Sequence, residues 1–233
     1  MDKLIKINNT DVLYDLNNNP IRIGNDILEW ENGRELKSYI NCNYNCEYTY
    51  DYNGNRTSKT INGIKTNYYL EKNQIVIERT GNNVIYYLRD LGQNLIGFKY
   101  QNNIYYYKKN ILNDIIGIFD SNYNEIVSYK YDSWGNLIGI YDYNGNDISN
   151  DLSNIGNINP YRYRSYYYDK ETGLYYLSTR YYNPKWCRFI SPDHGISSIG
   201  ESMDIIYLNM QYVIQLISLM KTACGQNGQK HLL

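Results

Sequence analysis

The chain has 233 residues, with 23 Lys and Arg against 24 Asp and Glu, which gives a formal net charge of −1. Because there is no excess of cations to displace counterions from phosphates, this balance argues against nucleic acid as a partner. Thirty tyrosines stand beside three Phe, three Trp and one Ala, a composition that excludes an Ala- and Leu-rich helical bundle and suits aromatic β-strands.

The N-terminal residues carry no apolar run after their lysines, so we do not expect them to be a secretory signal. The four cysteines, at positions 42, 46, 187 and 224, are too few and too unevenly spaced for a disulfide framework. The most apolar window, residues 205–220, contains three amide side chains and falls short of the ~20 apolar residues that a membrane span needs. We therefore expect no membrane span, and the compartment stays open.

A short motif recurs along the chain: an aromatic residue, then Asp, then Asn and Gly two or three residues later. The copies begin at Tyr14, Tyr50, Phe119, Tyr131 and Tyr141, with a degenerate copy at Arg89. Each copy predicts a β-hairpin, because Asn-Gly supplies the two positive-φ residues of a type I′ turn and Asp can bond the turn backbone. A single hairpin is barely stable, so successive hairpins must pair edge to edge.

The segments between these motifs read as strands. Residues 75–77 and 115–118 are apolar runs typical of buried strands. The alternation in residues 48–50 and 129–131 places their tyrosines on one face of a sheet. The sequence therefore predicts an all-β fold in which the hairpins build a long, curved β-strip.

These Tyr-Asp motifs resemble the YD-repeat, or RHS-repeat, proteins. The resemblance strengthens over residues 159–169, 171–177 and 180–193, which look like the RHS repeat-associated core, and residues 30–36 and 55–59 resemble low-GC Gram-positive members. It extends from residue 1 to about residue 195. The resemblance implies three regions: YD/RHS repeats in residues 1–127, the RHS core in 128–195 and an aberrant tail in 196–233.

The resemblance also implies a set of structural motif residues, with no catalytic residue, metal or cofactor. These are Tyr50, Asp51, Gly54, Tyr131, Asp132, Gly135, Asn159, Pro160, Tyr161, Arg162, Tyr163, Tyr167, Asp169, Gly173, Leu174, Tyr175, Arg180, Tyr181, Tyr182, Pro184, Arg188, Phe189 and Asp193.

In the family, many repeats coil into a hollow β-shell that the core segment closes before a variable C-terminal domain, often a toxin. The resemblance implies that this chain is a non-catalytic structural fragment of such a cell-surface or secreted protein, and not an enzyme. Its implied partners are the remaining repeats and the C-terminal toxin domain, with surface glycans for the alternative, a carbohydrate-binding module. The localisation of the chain itself is left unassigned.

The sequence departs from the family pattern in three places. Ser165 and Cys187 stand where the family usually has Gly, so strain of about 1 kcal/mol or more is expected at each if φ is positive there. Residues 194–233 lack the usual continuation of the core. We interpret this as a frameshift near residues 194–203, although residues 204–221 do show the apolar spacing of a short helix.

Several candidate sites have simpler structural interpretations, which we prefer. Residues 51–55 and 142–146 have the odd-position oxygens of a calcium loop but lack its Glu, so turn chemistry explains them better. Cys42 and Cys46 lack a second ligand pair for zinc. His194 and His231 are the only histidines, which argues against nucleophilic catalysis.

Two further expectations concern the core. Some family members cut themselves with paired aspartates, but Asp193 has no second carboxylate, so no protease activity is expected. The Arg and Tyr residues of 161–164 and 180–182 could stack on sugars. We prefer a packing role, with these Arg paired to residues such as Asp169 or Glu171.

Overall fold

The computed structural model of the protein describes residues 4–7 and 10–192. Within them, fifteen strands form one sheet whose strand order is the chain order, with every neighbouring pair antiparallel. The strands are β1 Lys6–Ile7, β2 Thr10–Tyr14, β3 Pro20–Ile23, β4 Asp26–Glu31, β5 Glu35–Ile40, β6 Asn45–Tyr50, β7 Arg56–Ile61, β8 Ile64–Glu71, β9 Gln74–Thr80, β10 Asn83–Arg89, β11 Leu95–Tyr100, β12 Asn103–Lys109, β13 Ile115–Phe119, β14 Glu125–Tyr131 and β15 Leu137–Asp142.

A smaller unit of structure follows β15. One helical turn, α1 (Ile155–Ile158), precedes a 3₁₀ turn at Tyr163–Ser165. Four short strands then form a second antiparallel sheet in chain order: β16 Tyr167–Asp169, β17 Leu174–Leu177, β18 Arg180–Asn183 and β19 Arg188–Phe189. We call residues 159–192 the core segment.

The Tyr-Asp motifs form chain reversals, but not the expected type I′ turns. In each, the fourth residue of the turn alone has positive φ, as at Gly54 (φ 79°), and the turn closes with Gly54 N–H donating to Asp51 C=O at 3.0 Å. Asp51 Oδ1 accepts from the N–H groups of Asn53 and Asn55, both at 2.9 Å. Because the second and third residues lack positive φ, the turn is of the type I class, and the shift in strand register that follows it is a bulge.

Seven turns of this kind lie in the described part of the chain; we call them Asp turns after their usual first residue. They begin at Asp15, Asp51, Asp90, Asn110, Asp120, Asp132 and Asp142. The type I′ expectation does hold elsewhere, at the Asn-Gly pairs 32–33 and 62–63, where both residues have positive φ.

The large sheet buries one face. Along β6, Cys46 and Tyr48 are buried while Glu47 and Thr49 are exposed, which is the period-two pattern of a half-buried strand. The buried face carries residues such as Leu28, Leu36, Phe98, Ile118 and Ile140, each at most 2% exposed. The all-β class and the long, curved antiparallel strip are therefore confirmed.

Two sequence expectations fall outside this picture. The apolar helical pattern of residues 204–221 and the frameshift near 194–203 lie outside the described residues. Among the described residues, no helix combines the length and apolarity that crossing a bilayer requires.

Candidate functional site

The core segment packs its tyrosines onto the buried face of the large sheet. Tyr167 meets Tyr68 edge to face, with ring centroids 5.7 Å apart, and Tyr161 meets Tyr87 in the same way at 4.8 Å. Such pairs contribute about 0.5–1.5 kcal/mol each beyond the area that they bury. The contact between the core segment and the sheet is the most elaborate polar site in the described residues, and we treat it as the candidate functional site.

A buried ion pair lies at the centre of this contact. Arg56, the first residue of β7, donates from Nη1 to Asp169 Oδ2 at 2.6 Å and from Nη2 to Asp169 Oδ1 at 3.1 Å. Both side chains are completely buried. The paired geometry matches the planar fork of the guanidinium to the carboxylate, and the pair joins β7 to β16 across 113 residues of sequence.

Tyrosine rings surround this guanidinium. Arg56 Cζ lies 4.2 Å from the ring centroid of Tyr176 and 5.0 to 5.3 Å from those of Tyr48, Tyr68 and Tyr167. Tyr176 also accepts a hydrogen bond at its hydroxyl from the Arg56 backbone N–H at 2.8 Å. The rings replace water around the cation, which reduces the cost of burying it.

Lys59 extends the ion pair into a network. Its Nζ lies 2.9 Å from Asp169 Oδ1 and 2.7 Å from Glu171 Oε1. Neither carboxylate oxygen of Glu171 accepts an aligned hydrogen bond within the described residues, so this second contact is an ion pair at close range rather than a directed bond. Burial acts to raise the pKa of Asp169, but Arg56 and Lys59 together hold that pKa below its ordinary value.

Glu78 on β9 is the acceptor for a second tyrosine cluster. Tyr87 donates to Glu78 Oε2 at 2.6 Å, and Tyr167 donates to Glu78 Oε1 at 3.0 Å. Burial raises the pKa of Glu78, with Lys59 and the two hydroxyl donors acting in the opposite direction. Tyr167 therefore links the Glu78 cluster to the Arg56 cluster, since its ring also stacks on the guanidinium.

Asn159, at the start of the core segment, organises a third group of contacts. It is fully buried, accepts from Tyr107 Oη at 2.8 Å, and donates to Tyr129 Oη at 3.1 Å and to the Tyr161 carbonyl at 2.7 Å. Nearby, the Arg162 guanidinium lies 5.3 Å from the ring centroids of both Tyr129 and Tyr168. A polar side chain with all its donors and acceptors used fixes the chain direction at this point.

The Asp132 turn forms hydrogen bonds with the C-terminal half of the core segment. Tyr175 donates to the Gly135 carbonyl at 2.9 Å, and Asn136 Nδ2 donates to the Pro184 carbonyl at 3.2 Å. Gly135 has φ +87°, and a Cβ there would lie 2.5 Å from a ring carbon of Tyr163. Glycine is thus required at this position both for its backbone conformation and for space.

The remaining predicted motif residues have structural positions in the core segment. Pro160 accepts the Tyr168 N–H at its carbonyl, and Leu174 is buried. Gly173 has positive φ. The Arg180 guanidinium lies 3.8 Å from the Phe189 ring centroid, and Tyr182 packs on the same ring. Arg188 pairs with Asn183 in the β18–β19 register, whereas Asp193 lies outside the described residues.

One expected pairing is wrong. Asp169 and Glu171 pair with Arg56 and Lys59 of the sheet, and not with the arginines of the core segment. Arg164 instead lies 3.7 Å from Asp114. The reason is topological: β16 lies against β7, so the nearest cations come from the sheet and not from the neighbouring chain.

The two departures from glycine do lie at positions with positive φ. Ser165 has φ 56° and Cys187 has φ 55°, the left-handed region that the family's usual glycines would occupy without strain. The Ser165 hydroxyl offsets part of the cost by donating to the Asn113 carbonyl at 2.8 Å.

Sequence reasoning missed the basic half of this site and one turn. Arg56 and Lys59 are three positions apart, a spacing that a regular strand places on opposite faces. The bulge after the Asp51 turn brings them to one face, since Arg56 pairs with Tyr50 and Lys59 with Tyr48, so their spacing along the chain carried no signal. The Asn110 turn exchanges the usual residues, with Asn first and Asp114 fifth. Its side chains still bond each other, through Asn110 Nδ2 and Asp114 Oδ2 at 2.6 Å.

The geometry thus defines a structural site: a long strip of hairpins to which a compact segment is fixed by buried ion pairs and tyrosines. No group of three or more His, Cys, Asp or Glu within residues 4–7 and 10–192 could hold a metal ion.

No family model matches the chain. Among curated proteins, the chain is 34% identical over 212 residues to the tRNA3(Ser)-specific nuclease WapA of Bacillus spizizenii and 35% identical over 212 residues to the tRNA nuclease WapA of Bacillus subtilis. The matched region is 88% of this chain but only 9% of each relative.

The chain is also similar to solved structures, including the following two. The crystal structure of TcdB2-TccC3-Cdc42 matches with a TM-score of 0.62 and 18% identity, over 78% of this chain and 10% of that one. A Tc holotoxin pore of Photorhabdus luminescens matches with a TM-score of 0.55 and 17% identity, over the same shares. At this identity the similarity shows the fold alone: the chain has an RHS-like fold.

Proposed function

We propose that the chain is a wall segment of an RHS-repeat protein, and that in the intact protein this wall encloses a C-terminal toxin domain. Residues 1–127 would be the repeats, 128–195 the RHS core and 196–233 a tail outside the family pattern. The observation that carries the proposal is the buried ion-pair network that joins Arg56 and Lys59 to Asp169 in this contact. Their charges are used to hold one part of the chain to another.

We also propose that this segment is not catalytic. The relatives carry the name tRNA nuclease, but the chain spans 9% of their length, so we place any such activity in other parts of those proteins. The test is incubation of the purified chain with total tRNA, followed by gel electrophoresis. We expect intact tRNA at protein concentrations up to the micromolar range. Cleavage by the chain that disappears in a Glu78→Gln variant would contradict the proposal.

The wall role has its own test in the intact protein that contains this chain. Asp169→Asn should loosen the core segment, so limited proteolysis should digest the region after the core faster than in the unsubstituted protein. Asp11→Asn is the matched control, because the Asp11 side chain is 78% exposed and makes only a 3.8 Å ion pair. Equal rates of digestion in the unsubstituted protein, Asp169→Asn and Asp11→Asn would show that the core segment does not shield the region after it.

A second candidate function is a carbohydrate-binding module. The observation that favours it is a shallow groove of about 510 Å³ on β10 and β11, lined by Tyr86, Tyr100, Asn83 and Gln101. Half-exposed aromatic rings beside amides suit the apolar faces and hydroxyls of a sugar. A glycan array with the chain and with Tyr86→Ala tests this, with Tyr52→Ala as the control because Tyr52 is exposed in a turn elsewhere. Absence of any sugar signal removes the candidate.

A further inference from the structure

A second cavity lies where the core segment meets the ends of inner strands of the large sheet. It has a volume of about 380 Å³ and is lined by the ends of four successive hairpins, at residues 55–56, 73–75, 89 with 93–95, and 109 with 113. Its other wall is formed by residues 161, 164–167 and 176–178 of the core segment. The cavity is therefore a compartment between two parts of the chain that are far apart in sequence.

The cavity wall contains cations and no carboxylate. Arg56, Arg89, Lys109 and Arg164 line it, together with amide side chains of the turns and tyrosine hydroxyls. Two of these cations have carboxylate partners behind them, since Arg56 pairs with Asp169 and Arg164 approaches Asp114. For Arg89 and Lys109, no carboxylate of the described residues lies within 4.0 Å.

Arg89 and Lys109 also act on each other. Burial and the positive charge of Arg89 lower the pKa of Lys109, and Asp90 offsets this only in part. Two neighbouring cations are an unfavourable arrangement unless something negative lies between or beside them. Arg89 is the last residue of β10 and Lys109 is the last residue of β12, and β11 lies between these two strands. Because neighbouring strands are antiparallel, both residues lie at the same end of the strands.

Two arginines of the cavity wall each have a side-chain donor without a hydrogen-bond acceptor. Arg89 gives Nη1 to the Gln93 carbonyl at 3.0 Å, but its Nε is buried and has no acceptor among the described residues. The Nε of Arg56 is buried and unpartnered in the same sense. Both Nε atoms are shielded from water, so they do not face the open volume of the cavity. They show that these two guanidinium groups lack part of their set of acceptors.

From this geometry we propose that the cavity binds the oxyanion of a small ligand, a carboxylate or a phosphate group. The bound anion would hold the core segment against the ends of the strands. Arg89 and Lys109 bind it from the sheet, and Arg164 binds it from the core segment. The site is independent of the proposed wall and glycan functions, since neither uses these cations.

The test is titration of the full 233-residue chain with inorganic phosphate and, in a separate arm, with succinate. Binding is followed by isothermal calorimetry and by the thermal unfolding midpoint, with sodium chloride holding the ionic strength constant. We expect saturable binding and a midpoint that rises with ligand concentration, because a ligand that binds only the folded state stabilises it. The arm that binds more tightly identifies the phosphate or the carboxylate as the group recognised.

Arg89→Gln with Lys109→Gln should weaken binding by roughly 10- to 100-fold, as expected for the loss of two charge-assisted contacts. The matched control is Arg79→Gln with Lys65→Gln, which removes the same two charges from exposed positions outside the cavity. Binding to the control should equal binding to the unsubstituted chain. Equal weakening in both double variants, or no saturable binding in either arm, would overturn the proposal.

Lys109→Gln alone covers the case in which the double variant does not fold. Without added oxyanion its unfolding midpoint should be at or above that of the unsubstituted chain, because one of two neighbouring cations is gone. With saturating phosphate or succinate its midpoint should rise less. A rise equal to that of the unsubstituted chain in both arms would contradict a role for Lys109.

Discussion

At the scale of single residues, Asp169 carries the contact between the core segment and the sheet. It accepts two bonds from Arg56 and one from Lys59 with no exposure to water. A buried ion pair of this kind adds less to stability than its Coulomb energy suggests, because both ions lose their hydration. Removing only the carboxylate is strongly destabilising, because it leaves the positive charges of Arg56 and Lys59 buried and unpaired.

Asp169→Asn should therefore lower the free energy of unfolding by about 3–5 kcal/mol. The amide keeps the shape of the carboxylate but removes the charge and puts an N–H₂ donor against the donors of Arg56 and Lys59. Urea unfolding followed by circular dichroism measures the change. Asp11→Asn, at an exposed ion pair, should cost less than about 0.5 kcal/mol. Equal losses in the two variants would show that the buried pair is not special.

The same residue predicts a dependence of stability on pH. Because the folded state holds the pKa of Asp169 below its ordinary value, its contribution is complete above about pH 4 and is lost as the pH falls through the lowered folded pKa. Glu78, whose pKa is raised, acts in the opposite direction. Urea midpoints measured at pH 6 and pH 3 should fall more for the unsubstituted chain than for Asp169→Asn. Parallel losses would contradict the assignment.

At the scale of elements, the turns determine how the strands follow one another. In an Asp turn the first carboxylate or amide bonds the backbone of the turn, and the fourth residue takes positive φ. Glycine fills this fourth position at residues 54, 135 and 145, but Asn18, Gln93 and Tyr123 adopt it too. The side-chain hydrogen bonds of the first residue evidently offset a strain of about 1 kcal/mol at the fourth.

The strained positions of the core segment predict an unusual gain. Cys187→Gly should raise the free energy of unfolding by up to about 1 kcal/mol, because Cys187 has φ 55° and its thiol makes only a 3.5 Å contact with the Pro184 carbonyl. Ser165→Gly should be close to neutral, since it also loses the bond to Asn113. Cys42→Gly, at a position without positive φ, should not stabilise; thermal unfolding compares the three. A loss for Cys187→Gly would contradict the strain interpretation.

At the scale of the whole molecule, the buried tyrosines make the fold sensitive to alkali. Burial raises the pKa of Tyr176 to about 12 and places the pKa values of Tyr48, Tyr87 and Tyr167 well above their usual range. In the unfolded chain these phenols ionise near pH 10. Their contribution to stability is therefore complete below about pH 10 and is lost as the pH rises through the folded values.

Absorbance of phenolate near 295 nm should accordingly titrate in two phases. Phenols in contact with water should ionise first, with no change in circular dichroism. The buried ones should ionise together with the loss of the β signal, at higher pH. A single phase near pH 10 that leaves the circular dichroism spectrum intact would contradict the burial of these side chains.

Strand edges set the last prediction at this scale. Within the described residues β1 pairs on one side only, while the outer side of β15 is partly covered by the Ile148 N–H, which donates to the Ile140 carbonyl at 2.8 Å. An uncovered edge invites pairing between copies. The isolated chain should therefore form oligomers or aggregates in sedimentation experiments, and a monodisperse monomer would contradict this.

The sequence by itself determined the strands, because tyrosine alternation and Asp-Asn turn residues act over a few neighbouring positions. It predicted the hairpins at Asp51 and Asp132, although with another turn type, and it made strain at Ser165 and Cys187 conditional on the positive φ that the structure shows. It did not determine the partners of Asp169. Those were decided by the tertiary structure, since the position of Arg56 against a strand 113 residues later depends on how the whole strip brings β7 to β16, and no local pattern encodes that distance.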